Sequence, residues 1–88
     1  MRGERVVRIA EQVIFRPVGD ELVLLDSRSG TYYGLDPTGV RVWQLIAEGI
    51  SLGVIVETML GEFDVTRERL EADVEALIAE LEKRGLVT

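Results

Sequence analysis

The chain reads as an α+β fold, a three-stranded antiparallel sheet followed by three helices, and three observations give that reading. β-Branched, aromatic and aliphatic runs separated by turn clusters fill the first part of the chain. After Leu35 the apolar spacing changes to the three-to-four period of helices. Caps and glycine stops then divide the remainder into three segments.

The strands fall within positions 6–35. Val13-Ile14-Phe15, Leu22-Val23-Leu24-Leu25 and Thr31-Tyr32-Tyr33 are separated by the turn clusters Pro17-Val18-Gly19-Asp20 and Ser27-Arg28-Ser29-Gly30. Links this short make sequential neighbours pair, so the expected order is 1-2-3 with the third strand on an edge. Asp36 then caps a first helix with Pro37 at its first position, where the missing N–H costs nothing. Gly39, Val42, Trp43 and Ile46 recur at helical spacing up to a stop at Gly49. Ser51 is placed to cap a second helix carrying Leu52, Ile55, Val56, Met59 and Leu60 and ended by Gly61. The short 48–51 link makes the two a helix-turn-helix pair. The third helix is expected over 66–84: Thr66 caps it, and Leu70, Val74, Leu77, Ile78 and Leu81 form its stripe. Lys83 and Arg84 sit at the negative end of its dipole, and Gly85-Leu86 supplies a Schellman-like stop.

Eighty-eight residues make a single domain over 1–88, with 1–5 expected to be loose. A domain of this size hides only about 60% of its unfolded surface. With 47% apolar residues and no cysteine, the core must be purely hydrophobic. The absence of cysteine removes any argument for an oxidising compartment, and no apolar run is long enough for a signal peptide or membrane span, so a cytoplasmic protein is expected. The Met1 start and the complete cap at Gly85 lead us to expect a free-standing chain.

The catalytic inventory is thin. There is no His and no Cys, so the commonest proton shuttle, metal ligand and thiol nucleophile are missing. No Asp or Glu pair has the spacing of a two-carboxylate site. We therefore expect no enzyme, no metal and no cofactor.

Strands followed by a helix-turn-helix and a long helix have the layout of a winged helix, whose commonest use is DNA binding. Charge argues against that use. The third helix sets Arg67, Arg69, Lys83 and Arg84 against Glu68, Glu71, Asp73, Glu75, Glu80 and Glu82, and the whole chain carries −6, whereas a duplex binder must neutralise phosphates. The open edge offers another use, because an unpaired strand displays N–H and C=O groups that an extended peptide can complete. Thr31, Tyr33 and Leu35 share one face of that strand and Tyr32 and Gly34 the other. Tyr33 is either a groove wall or simply core. On the third helix, Ala72, Ala76, Ala79 and Ile78 widen the apolar stripe of Leu70, Val74, Leu77 and Leu81, so one flank can pack on the core while another stays available. Small Ala76 admits a ligand backbone. Asp73 is placed to meet a ligand cation or amide, or is an ordinary solvated helix charge.

The run from Val23 through Asp26-Ser27-Arg28-Ser29-Gly30-Thr31-Tyr32-Tyr33-Gly34-Leu35-Asp36-Pro37 to Gly39, then Val42-Trp43-Gln44-Leu45, Leu70-Glu71-Ala72-Asp73-Val74 and the closing 81–87 segment, resembles the PqqD-like family. These domains are recognition elements for ribosomally made, post-translationally modified peptides, and the pattern is most similar to stand-alone members from lasso-peptide pathways. The resemblance implies a winged-helix-like domain that holds a precursor's leader segment as an added strand. It implies as partners a transglutaminase-like cysteine leader peptidase and, beyond it, a cyclase. By position it implies a peptide site of Ser29, Gly30, Thr31, Tyr32, Tyr33, Gly34 and Leu35 with Leu70, Asp73, Val74, Ala76 and Leu77. Where the family usually has Asn, this chain has Asp36; both cap helices. A PqqD-type chaperone of a quinone-cofactor precursor uses the same groove and is the nearest alternative; a winged-helix regulator is the alternative from another class.

Overall fold

A computed structural model gives the architecture over the described residues, 2–88. Strands β1 (Val13–Val18), β2 (Glu21–Asp26) and β3 (Thr31–Leu35) form one antiparallel sheet in the order β1-β2-β3. Helices α1 (Pro37–Ala47), α2 (Leu52–Leu60) and α3 (Arg67–Lys83) follow. The sheet and its 1-2-3 order agree with the sequence reading. One boundary differs. Pro17 and Val18, expected in a turn, continue β1, because Val18 pairs with Glu21 across a two-residue turn at Gly19-Asp20. Gly19 has φ +63°, the left-handed first position that such a hairpin turn requires.

That tight turn fixes the parity of the sheet. Its closing pair, Val18–Glu21, is of the hydrogen-bonded kind, so Arg16–Val23 and Ile14–Leu25 are bonded pairs too. Leu22, Leu24 and Asp26 then turn their peptide groups to β3, opposite Leu35, Tyr33 and Thr31. Two consequences bear on function. Tyr32 and Gly34 direct their N–H and C=O groups to the free edge of β3. Pro17 sits on β1 where an N–H would face outward, so its missing donor costs the ladder nothing.

The core lies between the inner face of the sheet and the helices. Leu24, Trp43, Ile55, Met59, Val74 and Leu81 are all at most 1% exposed. Asp36 caps α1 by accepting from the Gly39 N–H at 2.9 Å, and Thr66 caps α3 by accepting from Arg69 at 3.3 Å. At the other end of α3, Gly85 takes φ +72° and the Leu86 N–H returns to the Leu81 carbonyl at 2.9 Å, the Schellman arrangement. Arg41 on α1 grips Glu62, in the link after α2, with Nε and Nη2 at 2.8 and 2.7 Å. Hydrogen bonding from Arg41 holds the Glu62 carboxyl below the ordinary glutamate range, and the same bond raises Arg41.

The N-terminal segment does more than the sequence suggested. Arg8 and Thr88 exchange backbone hydrogen bonds at 3.0 and 2.8 Å, Ala10 donates to Leu86, and Val7 is buried. Residues 1–5 were expected to be loose; Met1 lies outside the described residues, but the carbonyls of Gly3 and Arg5 accept from the N–H groups of Gly53 and Leu52 at 2.7 and 2.9 Å. Those carbonyls cap α2. Ser51 occupies the N-cap position with extended backbone, yet its side chain makes no capping bond. Among the described residues, no helix is long and apolar enough to cross a membrane.

Candidate functional site

β3 and α3 face each other across a groove of about 460 Å³, inside the roughly 300–1,000 Å³ range of ligand pockets. Its floor is apolar and buried: Leu35 from β3, Val42 from α1 and Val74 from α3 are each at most 3% exposed. Half-buried Tyr33 and Leu77 form opposing walls. The first turn of α1 closes one end with Asp36, Thr38 and Gly39. Gly39 makes this closure tight, since a Cβ there would stand 3.2 Å from the Leu35 side chain. The helix approaches β3 because a methyl is missing.

Charge is confined to the rim. Arg69 and Asp73 pair along α3, Nε to carboxylate at 3.2 Å, with both side chains largely in solvent. The basic residue precedes the acidic one at i,i+4, the weaker order against the helix dipole, so the pair is easily opened. Arg84, just past α3, lays its guanidinium 4.5 Å from the Tyr33 ring centroid and bonds Glu80 at 3.0 Å. That contact bridges strand and helix and holds Tyr33 in place as a wall. Among the described residues, no group of three or more His, Cys, Asp or Glu is arranged to hold a metal ion. The arrangement is suited to binding, with a free strand edge, apolar pockets beside it and a polar rim.

The model of coenzyme PQQ synthesis protein D (PqqD) matches residues 21–87. The chain belongs to the PqqD family. Two solved structures are similar to this PqqD-family domain over nearly their whole length. One, TbiB1 in complex with the TbiA(beta) leader peptide, is 35% identical, with TM-score 0.86 over 91% of this chain and 93% of that one. The other, lasso peptide synthetase B1 complexed with the leader peptide, is 27% identical, with TM-score 0.88 over 96% and 99%. No curated protein matches the chain.

Within the PqqD-family domain the residues singled out from sequence divide into four groups. Tyr33, Gly34, Leu35, Asp73, Val74 and Leu77 line the groove. Thr31 and Tyr32 lie on the same strand, with Tyr32 two-thirds exposed on the outer face of the sheet beside Leu25. Ser29 and Gly30 belong to the β2–β3 turn: Ser29 shares a 2.7 Å contact with the Thr31 hydroxyl, and the Gly30 N–H bonds the Asp26 carbonyl. Leu70 is buried core at 2% exposure, and Ala76 is exposed on the flank of α3 away from the floor. Sequence reasoning missed Asp36, Thr38, Gly39, Val42 and Arg69 as lining and Arg84 as the bridge to Tyr33. The signal for the first four was present, because a helix separated from an edge strand by a single residue must put its first turns against that strand.

Proposed function

We propose that this domain binds the leader segment of a ribosomally synthesised lasso-peptide precursor as an extra strand on Thr31–Leu35, against α3, and presents it to a transglutaminase-like cysteine leader peptidase. The observation that carries the reading is the pairing of outward-facing peptide groups at Tyr32 and Gly34 with an apolar groove on the inner side of the same strand. The two similar solved structures, both leader-peptide complexes, support it. The second, a lasso peptide synthetase B1, also favours a lasso-pathway leader over a quinone-cofactor precursor as the occupant.

The sheet's parity assigns roles along the added strand. Leader residues opposite Tyr32 and Gly34 exchange main-chain hydrogen bonds, each a net gain of about 0.5–1.5 kcal/mol. A residue opposite Tyr33 points inward, where burying an apolar side chain contributes about 1.5–3 kcal/mol. Ordering a flexible leader offsets part of this, which leaves an affinity of roughly nanomolar to low micromolar. The domain acts as a tether in the cytoplasm and leaves the chemistry to its partner, whose effective substrate concentration it raises. The absence of His and Cys suits that division of labour. Duplex binding has little support, since Arg67, Arg69 and Arg84 are already paired with Glu57, Asp73 and Glu80.

Amide hydrogen exchange with and without leader peptide tests the reading. The Tyr32 and Gly34 amides are expected to gain protection on binding, while Tyr33 and Leu35, already bonded to β2, change little. Protection confined to α2 would overturn the assignment.

A further inference from the structure

A second concavity lies on the other side of α1, between that helix and β1, and shares no lining residue with the groove. It is a hollow of about 670 Å³ with an apolar wall formed by Phe15, Pro17, Leu22, Val40 and Trp43. Phe15 is 45% exposed although its ring meets Trp43 edge-on, with centroids 5.6 Å apart at 76°. The indole N–H of Trp43, itself 1% exposed, has no acceptor among the described residues. Buried donors are rarely left unmet, and the residue that carries this one lines the hollow. The mouth is acidic: Asp20 flanks it from the β1–β2 turn, Glu21 from the start of β2 and Glu48 from the end of α1. None of these three forms an ion pair within 4.0 Å among the described residues; Glu48 acts on Arg41 only at longer range.

We propose that this hollow is the docking site for the leader peptidase, through an apolar side chain of the enzyme flanked by Lys or Arg. The inference rests on the leader-presenting function and extends it to the surface that meets the enzyme. Three features fit this occupant. An exposed aromatic ring, Phe15, standing over buried apolar Leu22 and Trp43 and flanked by carboxylates has the anatomy of a protein interface, an apolar centre with a charged rim. The three carboxylates set the sign of the partner's rim, and the chain's net charge of −6 steers a basic surface toward it. Pro17 removes an outward N–H from β1, so the contact is made by side chains and no strand adds there. Because the two sites lie on opposite sides of α1, leader and enzyme are held at once.

The test measures two affinities on each protein: a labelled leader peptide by fluorescence polarisation, and the purified leader peptidase by calorimetry. Phe15→Ser and Glu48→Lys are both changes at exposed positions. Each is expected to weaken peptidase binding by roughly tenfold or more and to leave leader affinity within roughly twofold of the parent. The inference is overturned if the peptidase fails to bind the parent domain, if both variants bind it normally, or if Phe15→Ser merely dissociates a homodimer of the parent seen by light scattering. Failure of the parent to bind leader peptide is a separate result, and it would sink the leader-binding function itself.

Discussion

The sheet has two edges of similar length that differ in what they offer an incoming strand. β1 carries Pro17 at an outward position and has beside it a hollow with an apolar wall and an acidic mouth. β3 has no proline, directs intact peptide groups outward at Tyr32 and Gly34, and has an apolar groove beside it. An open edge invites any strand, including another copy of the chain. Guarding one edge with proline while leaving the other free makes strand addition possible at a single place, the one where pockets can read the incoming side chains.

The contrast is broken most directly by giving β3 the device that protects β1. Gly34→Pro removes one outward N–H without touching the β2 ladder, and a Cβ at that position meets nothing within 4 Å. Leader affinity is expected to fall by roughly 10- to 100-fold, about 1.4–2.8 kcal/mol, with an unchanged circular dichroism spectrum; full affinity would mean that the leader does not add as a strand. Gly53→Ala is the control remote from both edges. Its methyl would stand 3.0 Å from the Cα and carbonyl oxygen of Gly3, so stability should drop by about 1–3 kcal/mol in urea titrations while leader affinity holds. Pro17→Thr, the converse of the first change, restores the outward donor on β1. We expect concentration-dependent self-association in sedimentation, weaker than leader binding and absent in the parent.

The smallest effect concerns α1, which separates the two sites. Glu62 titrates below the ordinary carboxylate range because Arg41 bonds its charged form. The pair therefore contributes stability above the unfolded-state pKa of the carboxyl, and that contribution disappears as pH falls through the lowered folded-state value. Glu62→Gln should lower the neutral plateau of a stability–pH curve slightly and flatten its acid limb, so that the two curves converge at low pH. An identical acid limb in parent and variant would show that the pair does not hold α1.

The elements were legible because their signals are local. Asp36 and Thr66 cap the helices they were expected to cap, and the Gly85-Leu86 stop has the expected bonds. What sequence did not reveal depends on residues far apart in the chain. Nothing in Ser51 says that the Gly3 and Arg5 carbonyls will displace its side chain as a cap, and nothing in Arg84 says that Tyr33 will lie beneath it. Leu70 shows the same limit on a helix face: it shares a stripe with Val74 and Leu77, but only packing decides that it faces the core and Leu77 the groove.

Ser29 and Gly30 have a part in the site although they do not line it. The turn they belong to sets the pairing of Thr31 with Asp26, and with it the phase of every residue along β3. One residue added or removed there would rotate Tyr33 and Leu35 to the solvent face and turn the peptide groups of Tyr32 and Gly34 inward to β2. The groove would be erased with each of its side chains still present. Length in this turn is thus as strict a requirement as identity in the groove, and relatives that bind in the same way should vary in the residues of the turn before they vary in its number of residues.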